Sequence, residues 1–371
     1  MSAISFKKVG FTRKMIKQKI KKLIKRIVIF LITTLLMAVI LLYSAMWICI
    51  NGPSEVARDL FVMSVRETSA AGFLANIFLS DEEIAAIAAK NQVGVTDEIT
   101  DTSLIEIEGN HKNSSSDDSS SSGNSYEQEG TEVNLIDKDL EYIDGIAIKK
   151  VSGNTFQGYM MFIKDPGRVF VGVSSQNFSK DVAGKTVIDI INSYGAVAGT
   201  NAGGFEDPQG TGDGGVPKGL VISEGRMLYG NGNTTYDIIG FNKENVLIVG
   251  KMTGNQAVNM GIRDAVCFGP TLIVNGNPLT VAGAGSGLNP RTAIGQRTDG
   301  TVLLLVIEGR QATSLGASYN DLIRVMLEYG AVNAANLDGG SSSVMYNKSE
   351  LINSNASFIG LRKVPTAILI R

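Results

Sequence analysis

The chain has 371 residues, a formal net charge of −2 and a hydrophobic share of 44%, which is enough for one large domain with additional segments. Its two cysteines, Cys49 and Cys267, are too few for a framework of disulfide staples, and Cys267 is expected to be a small buried apolar residue. The single histidine, His111, lies in a serine-rich stretch. The chain from Leu140 onward therefore excludes Ser-His-Asp and Cys-His hydrolases and disfavours histidine-ligated zinc sites and histidine-based phosphoryl transfer.

The N-terminus combines a basic segment with an apolar one. Residues 1–26 carry lysines and arginines without an acid, and an uncharged run follows from Ile27 to Ile50. In a helix this run is roughly 36 Å long, enough to cross a ~30 Å hydrocarbon core, and it exceeds the ~7–15 apolar residues of a cleaved signal peptide. We predict a cytoplasmic tail over 1–26 and a retained single-pass membrane anchor over 27–50, with the rest of the chain outside. The apolar run argues against nucleic-acid binding by the basic segment.

Two segments of different composition precede the C-terminal domain. Residues 51–90 have apolar and charged positions at helical spacing, and Ser80 with Glu83 forms a capping-box pattern. We predict one or two helices that serve as a juxtamembrane stalk, with self-association as the alternative. Residues 91–138 are rich in serine and poor in apolar residues, which predicts a disordered linker without a core.

Residues 139–371 consist mostly of short β-rich runs separated by glycine and Asp-Pro-Gly turn signals. A helix is predicted over 182–194, ending at Gly195. A second is predicted after a Ser318 cap, with Gly330 as its stop. This mixture predicts an α+β domain with an extended sheet that is largely antiparallel or mixed.

One hairpin in this domain makes a specific prediction about register. The Asp299-Gly300 pair stands between two apolar strands and is typical of a two-residue loop. Such a loop places Arg291 opposite Glu308 on one face of the sheet, whereas a three-residue loop would place Ile307 there.

Polar clusters at the ends of apolar runs mark the candidate site. They are NAGGF at 201–205, PRTAIG at 290–295, EGR at 308–310 and NLDGGSSS at 336–343. A buried strand that ends in a carboxylate and a glycine delivers that carboxylate to a sheet edge, where the backbone stays open to a ligand. Two such carboxylates and an arginine indicate an anionic substrate, and without histidine the available chemistry is that of carboxylates.

In this order the four motifs resemble those of the phosphodiester glycosidases, over roughly 144–371. The resemblance implies cleavage of the bond between the anomeric carbon of a sugar and an esterified phosphate, without a cofactor. It implies Asp338 and Glu308 as catalytic carboxylates, although the family often has Asp at 308, and Arg291 as a phosphate ligand. The further substrate- or phosphate-binding residues that it implies are Asn201, Gly203, Gly204, Thr292, Arg310, Gly339, Gly340, Ser341 and Ser342.

Each of these assignments has a structural alternative. Asp338 could cap its own Gly-Gly turn, Glu308 could pair with Arg310, and Arg291 could form a structural ion pair. The glycine-rich loop at 207–218 could be a lid, and its Asp213 could contribute to a divalent-cation site, although the spacing is not that of an EF-hand.

Two other classes of function remain open from the sequence. One is a metal-dependent phosphodiesterase that cuts the P–O bond, and the other is a non-catalytic protein that binds or assembles envelope glycans. The GAGSG stretch at 283–287 lacks the strand–helix context of a nucleotide fingerprint. From the predicted location outside the membrane, we expect cell-envelope glycans or teichoic-type polymers as substrates.

Overall fold

The computed structural model describes residues 3–68, 71–107, 138–357 and 360–371. The chain divides into two compact units, Met1–Arg58 and Asp59–Arg371. The first unit is dominated by helix α1 (Ala3–Asn51). Within the described ranges, one helical stretch is long and apolar enough to cross a membrane, Lys17–Asn51, with a mean hydropathy of 2.7. It contains the whole predicted anchor, 27–50.

The second unit begins with a small helical module, residues 59–90, which we call the N-terminal module. It comprises most of α2 (Glu55–Arg66), a 3-10 turn (Gly72–Ile77) and α3 (Asp81–Lys90), and its core is formed by Val62, Met63, Ala75, Ile84 and Ile87. Ser80 and Glu83 form the predicted capping box at the start of α3. The structure places this module in the same compact unit as the large domain, and a stalk role for residues 51–90 stays a prediction.

Residues 91–107, which the prediction assigned to the linker, form hydrogen bonds with the large domain. Their backbone N–H groups donate to the domain at three places, Gly94 to Thr280 O (2.8 Å), Thr100 to Val249 O (3.1 Å) and Glu106 to Thr298 O (2.7 Å). These hydrogen bonds hold the segment on the domain surface, because they pair backbone groups of the segment with backbone groups of the domain. The remainder of the predicted linker up to 137 lies outside the described residues.

In the part of the chain that the structure describes, the large domain has three sheets and a two-stranded ribbon. Every strand pair there is antiparallel, which confirms the predicted fold class. The orders are β1-β2-β14-β13-β15-β11-β12, β7-β6-β10-β8-β9, β17-β16-β5-β19-β3 and β18-β4. The strands are β1 (Ile146–Ser152), β2 (Gln157–Ile163), β3 (Val169–Val173), β4 (Lys185–Thr186), β5 (Ala198–Asn201), β6 (Val221–Ser223), β7 (Arg226–Tyr229), β8 (Thr235–Asn242), β9 (Leu247–Thr253), β10 (Ile262–Cys267), β11 (Thr271–Val274), β12 (Asn277–Pro278), β13 (Arg291–Arg297), β14 (Val302–Ile307), β15 (Ala331–Leu337), β16 (Met345–Asn347), β17 (Glu350–Leu351), β18 (Lys363–Val364) and β19 (Thr366–Ile370).

The central strands are buried on both faces. One face of the seven-stranded sheet shares an apolar core with the two five-stranded sheets, and the other packs against helix α6 (Tyr319–Glu328). This explains why β14 reads as an unbroken apolar run. Ser318 caps α6 as predicted. The helix predicted over 182–194 is shorter, α4 (Val187–Tyr194), but it ends at Gly195 as expected, and a further short helix, α5, spans Gly254–Asn259.

The β13–β14 hairpin has a three-residue loop, so the prediction of a two-residue loop is wrong. Arg297 N–H donates to Thr301 O (3.0 Å), and Arg291 pairs with Ile307, as expected for the longer loop. Gly300 adopts a φ of +82°, and the Asp299 carboxylate accepts from Thr301 N–H, which together favour a turn closed by a left-handed residue. Glu308 follows Ile307 and therefore starts on the face opposite to Arg291.

Candidate active site

The ends of β13 and β15 meet at a cavity of about 660 Å³. Asp338 follows β15 directly, and Arg291 is the first residue of β13. Three residues of the N-terminal module, Glu67, Thr68 and Ala71, line the same cavity. The lining residues used below are Glu67, Thr68, Phe205, Asp207, Lys218, Phe268, Arg291, Arg310, Asp338, Gly339, Gly340, Ser341, Ser342 and Arg362.

The carboxyl group of Asp338 is the most perturbed group of this cavity. Its Oδ2 is buried and has no hydrogen-bond partner in the part of the chain that the structure describes. Loss of solvation raises the pKa of Asp338 to about 6, against the smaller lowering effects of the Ser342 hydroxyl and the Gly339 N–H. A carboxyl group in a cavity with such a pKa is a candidate for catalysis.

Asn201 and Thr292 support Asp338 from behind instead of lining the cavity. Asn201 Nδ2 donates to the Asp338 carbonyl (2.5 Å), and Asn201 Oδ1 accepts from the Thr292 hydroxyl (2.9 Å) and from Val344 N–H (3.2 Å). Both side chains are fully buried. The structure thus gives these two predicted substrate-binding residues a supporting role, because all three polar contacts tie β5 and β13 to the loop after β15.

The two glycines of the first motif are likewise outside the cavity lining. Gly203 N–H donates to the Thr366 hydroxyl (3.1 Å), and Gly204 N–H donates to Cys267 O (3.1 Å). A Cβ on Gly204 would lie 2.7 Å from the ring of Phe268. Gly204 therefore allows that ring to pack beside the cavity, and neither predicted amide is left to bind a substrate.

The Gly339-Gly340 turn lines the cavity, but its amides are engaged within the protein. Gly340 N–H donates to Pro290 O (2.8 Å), and Gly339 N–H bonds to the Asp338 carboxyl group. The hydroxyl of Ser342 is held by the same carboxyl group, and Ser341 lines the cavity beside it. These contacts hold the Asp338 loop in place, and phosphate binding by the two amides stays a prediction.

Arg291 is largely committed to holding the preceding turn. Its side chain is 4% exposed and lies over the ring of Tyr319. Nε donates to Ala317 O (3.2 Å), and Nη2 donates to Gly287 O (3.2 Å). Nη1 lies 3.9 Å from the Glu67 carboxylate. The guanidinium thus contributes positive charge at the cavity wall, with most of its donors used by the backbone.

Arg310 offers a less committed cation. Its Nη2 donates to the Thr68 hydroxyl (3.0 Å), and a Cβ on Gly340 would lie 3.3 Å from the same nitrogen. No carboxylate lies within salt-bridge distance of Arg310 in the described ranges. Burial, and secondarily the charge of Arg291, lower the pKa of Arg310. Its φ of +57° is uncommon for a residue with a side chain.

Glu308, the second predicted catalytic carboxylate, does not line the cavity. Its Oε1 accepts from Ser354 N–H (2.7 Å), and its backbone carbonyl accepts from the Ser314 hydroxyl (2.7 Å). The residue is 9% exposed. The register of the hairpin explains the difference, because Glu308 leaves β14 on the other side from Arg291.

Four charged residues of the cavity were not identified from the sequence: Glu67, Asp207, Lys218 and Arg362. Arg362 Nη2 bonds to Asp207 Oδ1 (2.7 Å) and to Gly212 O (3.1 Å), which fixes the loop that the sequence suggested as a lid. Arg362 and Glu67 stand in no motif, so only proximity in the fold identifies them.

The structure also bears on the suggested cation site. Asp213 Oδ1 accepts from Gly215 N–H (3.1 Å), which gives Asp213 a local role in the turn. Within the described ranges there is no group of three or more His, Cys, Asp and Glu side chains that could hold a metal ion.

Comparison with known proteins identifies the family of the C-terminal part of the chain. The family profile of the phosphodiester glycosidases matches residues 194–371. This part of the chain belongs to the phosphodiester glycosidase family. The N-terminal module and strands β1 to β4 precede the matched region.

One solved structure shows the shared fold. The catalytic domain of zebrafish N-acetylglucosamine-1-phosphodiester alpha-N-acetylglucosaminidase, described as auto-inhibited by its pro-peptide, aligns with a TM-score of 0.50 at 17% identity, covering 61% of this chain and 82% of that one. A hypothetical protein from Synechocystis aligns with a TM-score of 0.43 at 16% identity, covering 62% of this chain and 63% of that one.

One curated relative has no assigned activity. The SPbeta prophage-derived uncharacterized protein YomE of Bacillus subtilis (strain 168) is 30% identical to this chain over 185 residues. The alignment covers 46% of this chain and 27% of the relative, so this chain spans about a quarter of the relative's length.

Proposed function

We propose that the domain hydrolyses sugar-1-phosphodiesters at the bond between the anomeric carbon and oxygen, with Asp338 as an essential catalytic residue. The observation that supports this most directly is the pairing, in one cavity, of a buried carboxyl oxygen without a partner and an arginine without a carboxylate partner among the described residues. A phosphodiester group supplies the negatively charged partner that Arg310 does not find among the described residues. The anomeric carbon develops the positive charge that an ionised Asp338 stabilises. Membership of residues 194–371 in the family supports the same class of reaction.

The reaction assigns separate tasks to the two groups. Arg310 binds the phosphate and stabilises the charge that it carries away as the C–O bond breaks. A phosphate monoester departs far more readily than an alcohol, so a strong general acid is not required. Asp338, once ionised, faces the oxocarbenium-like carbon. The oxygen of water then adds to that carbon, and its proton must pass to a further base.

The location and substrate class follow from the chain as a whole. We propose that α1 anchors the protein in a membrane with its N-terminus inside and the domain outside, where it acts on sugar-1-phosphate links of envelope glycans or polymers. The apolar stretch within Lys17–Asn51 and the basic residues before it support this orientation. The zebrafish relative is named for N-acetylglucosamine-1-phosphodiesters, which makes the methyl diester of N-acetylglucosamine α-1-phosphate the first substrate to test.

Hydrolysis in isotopically labelled water tests the bond that breaks. C–O cleavage places the label on the anomeric hydroxyl of the sugar, which must be read early because that oxygen exchanges with solvent. P–O cleavage places it on the phosphate and would instead indicate a phosphodiesterase, whose loss of activity in chelator would identify a metal requirement. We expect the label on the sugar, loss of turnover in Asp338→Asn, and normal turnover in Asp181→Asn, which changes an exposed aspartate. Normal turnover in Asp338→Asn would refute the assigned role.

A further inference from the structure

The N-terminal module, which precedes the family's matched region, forms part of the cavity wall. Glu67 and Thr68 both line the cavity. The Thr68 hydroxyl accepts from Arg310 Nη2 (3.0 Å), and Glu67 Oε2 lies 3.9 Å from Arg291 Nη1. The module thus places two oxygen-bearing side chains against the two arginines of the site.

This placement is fixed by contacts away from the cavity. The Ser64 hydroxyl accepts from Leu288 N–H (2.8 Å), and Asn91 Oδ1, just after the module, accepts from Ala284 N–H (2.6 Å). A Cβ on Gly287 would lie 2.3 Å from Ser64 N, so the two backbones approach closely. The module therefore docks on the turn that leads directly into Arg291, and Glu67 is held at the cavity by the fold.

The carboxylates of the cavity differ in how firmly they are engaged. Those that line it within the described ranges are Asp338, Asp207 and Glu67. Asp207 Oδ1 accepts from both Arg362 Nη2 (2.7 Å) and Gly212 N–H (2.7 Å), so it is bound to its own loop. The side chain of Glu67 is 41% exposed, and its one ion pair among the described residues is a long contact of 3.9 Å with Arg291. The carboxylate is therefore accessible to water and substrate.

We propose that Glu67 is the second catalytic carboxylate, the base that takes the proton of the attacking water; this rests on the proposed function. The water oxygen bonds to the anomeric carbon as its proton passes to Glu67. The bond from that carbon to the phosphate oxygen breaks, and its electron pair leaves with the phosphate beside Arg310. Asp338 stabilises the positive charge that develops on the anomeric carbon in the transition state. The chain before the family region then supplies half of the carboxylate pair that glycoside hydrolysis uses.

The first test compares Glu67→Gln with Glu82→Gln in the full chain, using the methyl diester of N-acetylglucosamine α-1-phosphate. Glu82 is an exposed glutamate of the same module. We expect Glu67→Gln to lower kcat roughly 100-fold or more, as for loss of a general base, with KM changed less than about threefold, and Glu82→Gln to be unchanged. Unchanged or faster turnover in Glu67→Gln would overturn the assignment, and a faster rate would make Glu67 an inhibitory contact of Arg291.

A second measurement distinguishes catalysis from support of the fold. Azide carries no proton that must be removed, so it replaces the water that Glu67 activates. Added azide should restore turnover of Glu67→Ala and give a glycosyl azide. It should not restore turnover of Asp338→Asn, because azide replaces the water and not the carboxylate that stabilises the anomeric carbon. Absence of both the azide product and any rescue would overturn the role as base. If the parent chain hydrolyses neither this diester nor other sugar-1-phosphodiesters, the proposed function itself fails. If both the parent and Glu67→Gln are active, only this inference is refuted.

Discussion

The buried carboxyl group of Asp338 is costly to ionise where it stands. Its Oδ2 has no partner in the described residues, and loss of solvation outweighs the hydrogen bonds that favour the charged form. Such a cost persists only if the surrounding structure enforces it, and here Asn201 and Ala202 hold the backbone of Asp338 on both sides. The site therefore trades stability for a reactive carboxylate at neutral pH.

This trade predicts how Asp338→Asn changes stability with pH. In the unfolded chain the carboxyl group has the usual aspartate pKa of 3.8, and in the folded protein its pKa is about 6, so the folded state binds more protons between these values. The stability contributed by Asp338 is complete below about pH 4 and is lost as the pH rises through 6, by on the order of 3 kcal/mol. Asp338→Asn should gain stability relative to the parent on going from pH 4 to pH 8. Thermal unfolding of the full chain in detergent measures this, and an equal difference at both pH values would contradict it.

Arg310 provides the second prediction at this scale. Loss of its charged hydrogen bonds in Arg310→Ala should weaken inhibition by inorganic phosphate and raise KM for the diester roughly 10- to 100-fold. Arg310→Lys should recover only part of this, because an ammonium group on a different stem does not reproduce the guanidinium fork. Arg324→Ala removes an exposed arginine of α6 and serves as the control. Equal phosphate inhibition in Arg310→Ala and the parent would exclude Arg310 as the phosphate ligand.

At the scale of elements, the β13–β14 hairpin determines which residues meet. Its three-residue loop pairs Arg291 with Ile307, and Glu308 turns toward the segment around Ser354. Glu67, a residue of the N-terminal module, lines the cavity that Glu308 does not reach. The length of this loop thus determines that Glu308 leaves β14 on the face opposite to Arg291.

The hairpin register predicts that Glu308 is not catalytic, whereas the EGR motif at 308–310 implied that it is. Glu308→Gln keeps an oxygen that can accept from Ser354 N–H, so turnover and stability should stay close to those of the parent. Glu308→Ala leaves that N–H without its partner and should lower the free energy of unfolding by about 1–3 kcal/mol, with the remaining folded protein active. Activity and thermal unfolding measured on both variants check this. Loss of turnover in a stable Glu308→Gln would restore Glu308 as a catalytic residue.

At the scale of the whole molecule, segments that are far apart along the chain belong to one compact unit. The predicted cytoplasmic tail and anchor come first, yet the compact unit begins at Asp59 and includes the N-terminal module and residues 91–107. The serine-rich part of the sequence, around His111, separates the module from the large domain along the chain. The two sides of that part are nevertheless joined through contacts such as Ser64 with Leu288.

This organisation predicts a specific result of protease treatment of intact cells. The serine-rich composition of 108–137 should make it the first site of cleavage, provided the domain lies outside. The cut should not release the domain at once, because the module and residues 91–107 hold it without the covalent link. Release should require urea. Complete protection of the chain would contradict the proposed orientation, and release without urea would show that these contacts do not persist.

The sequence by itself determined the features that depend on local chemistry. Turn residues and apolar periodicity identified the strands, α6 with its Ser318 cap and the antiparallel fold, and the ordered motifs identified the family and the turn around Asp338. It could not determine contacts between distant segments, because these depend on register and packing. The tertiary structure alone decided that Asn201 supports the site, that Glu308 leaves it, and that Arg362 and Glu67 join it. A change of one residue in the hairpin register moves every side chain of the strand to the opposite face of the sheet. The docking of a module depends on contacts between distant residues, and these produce no periodic pattern in the sequence.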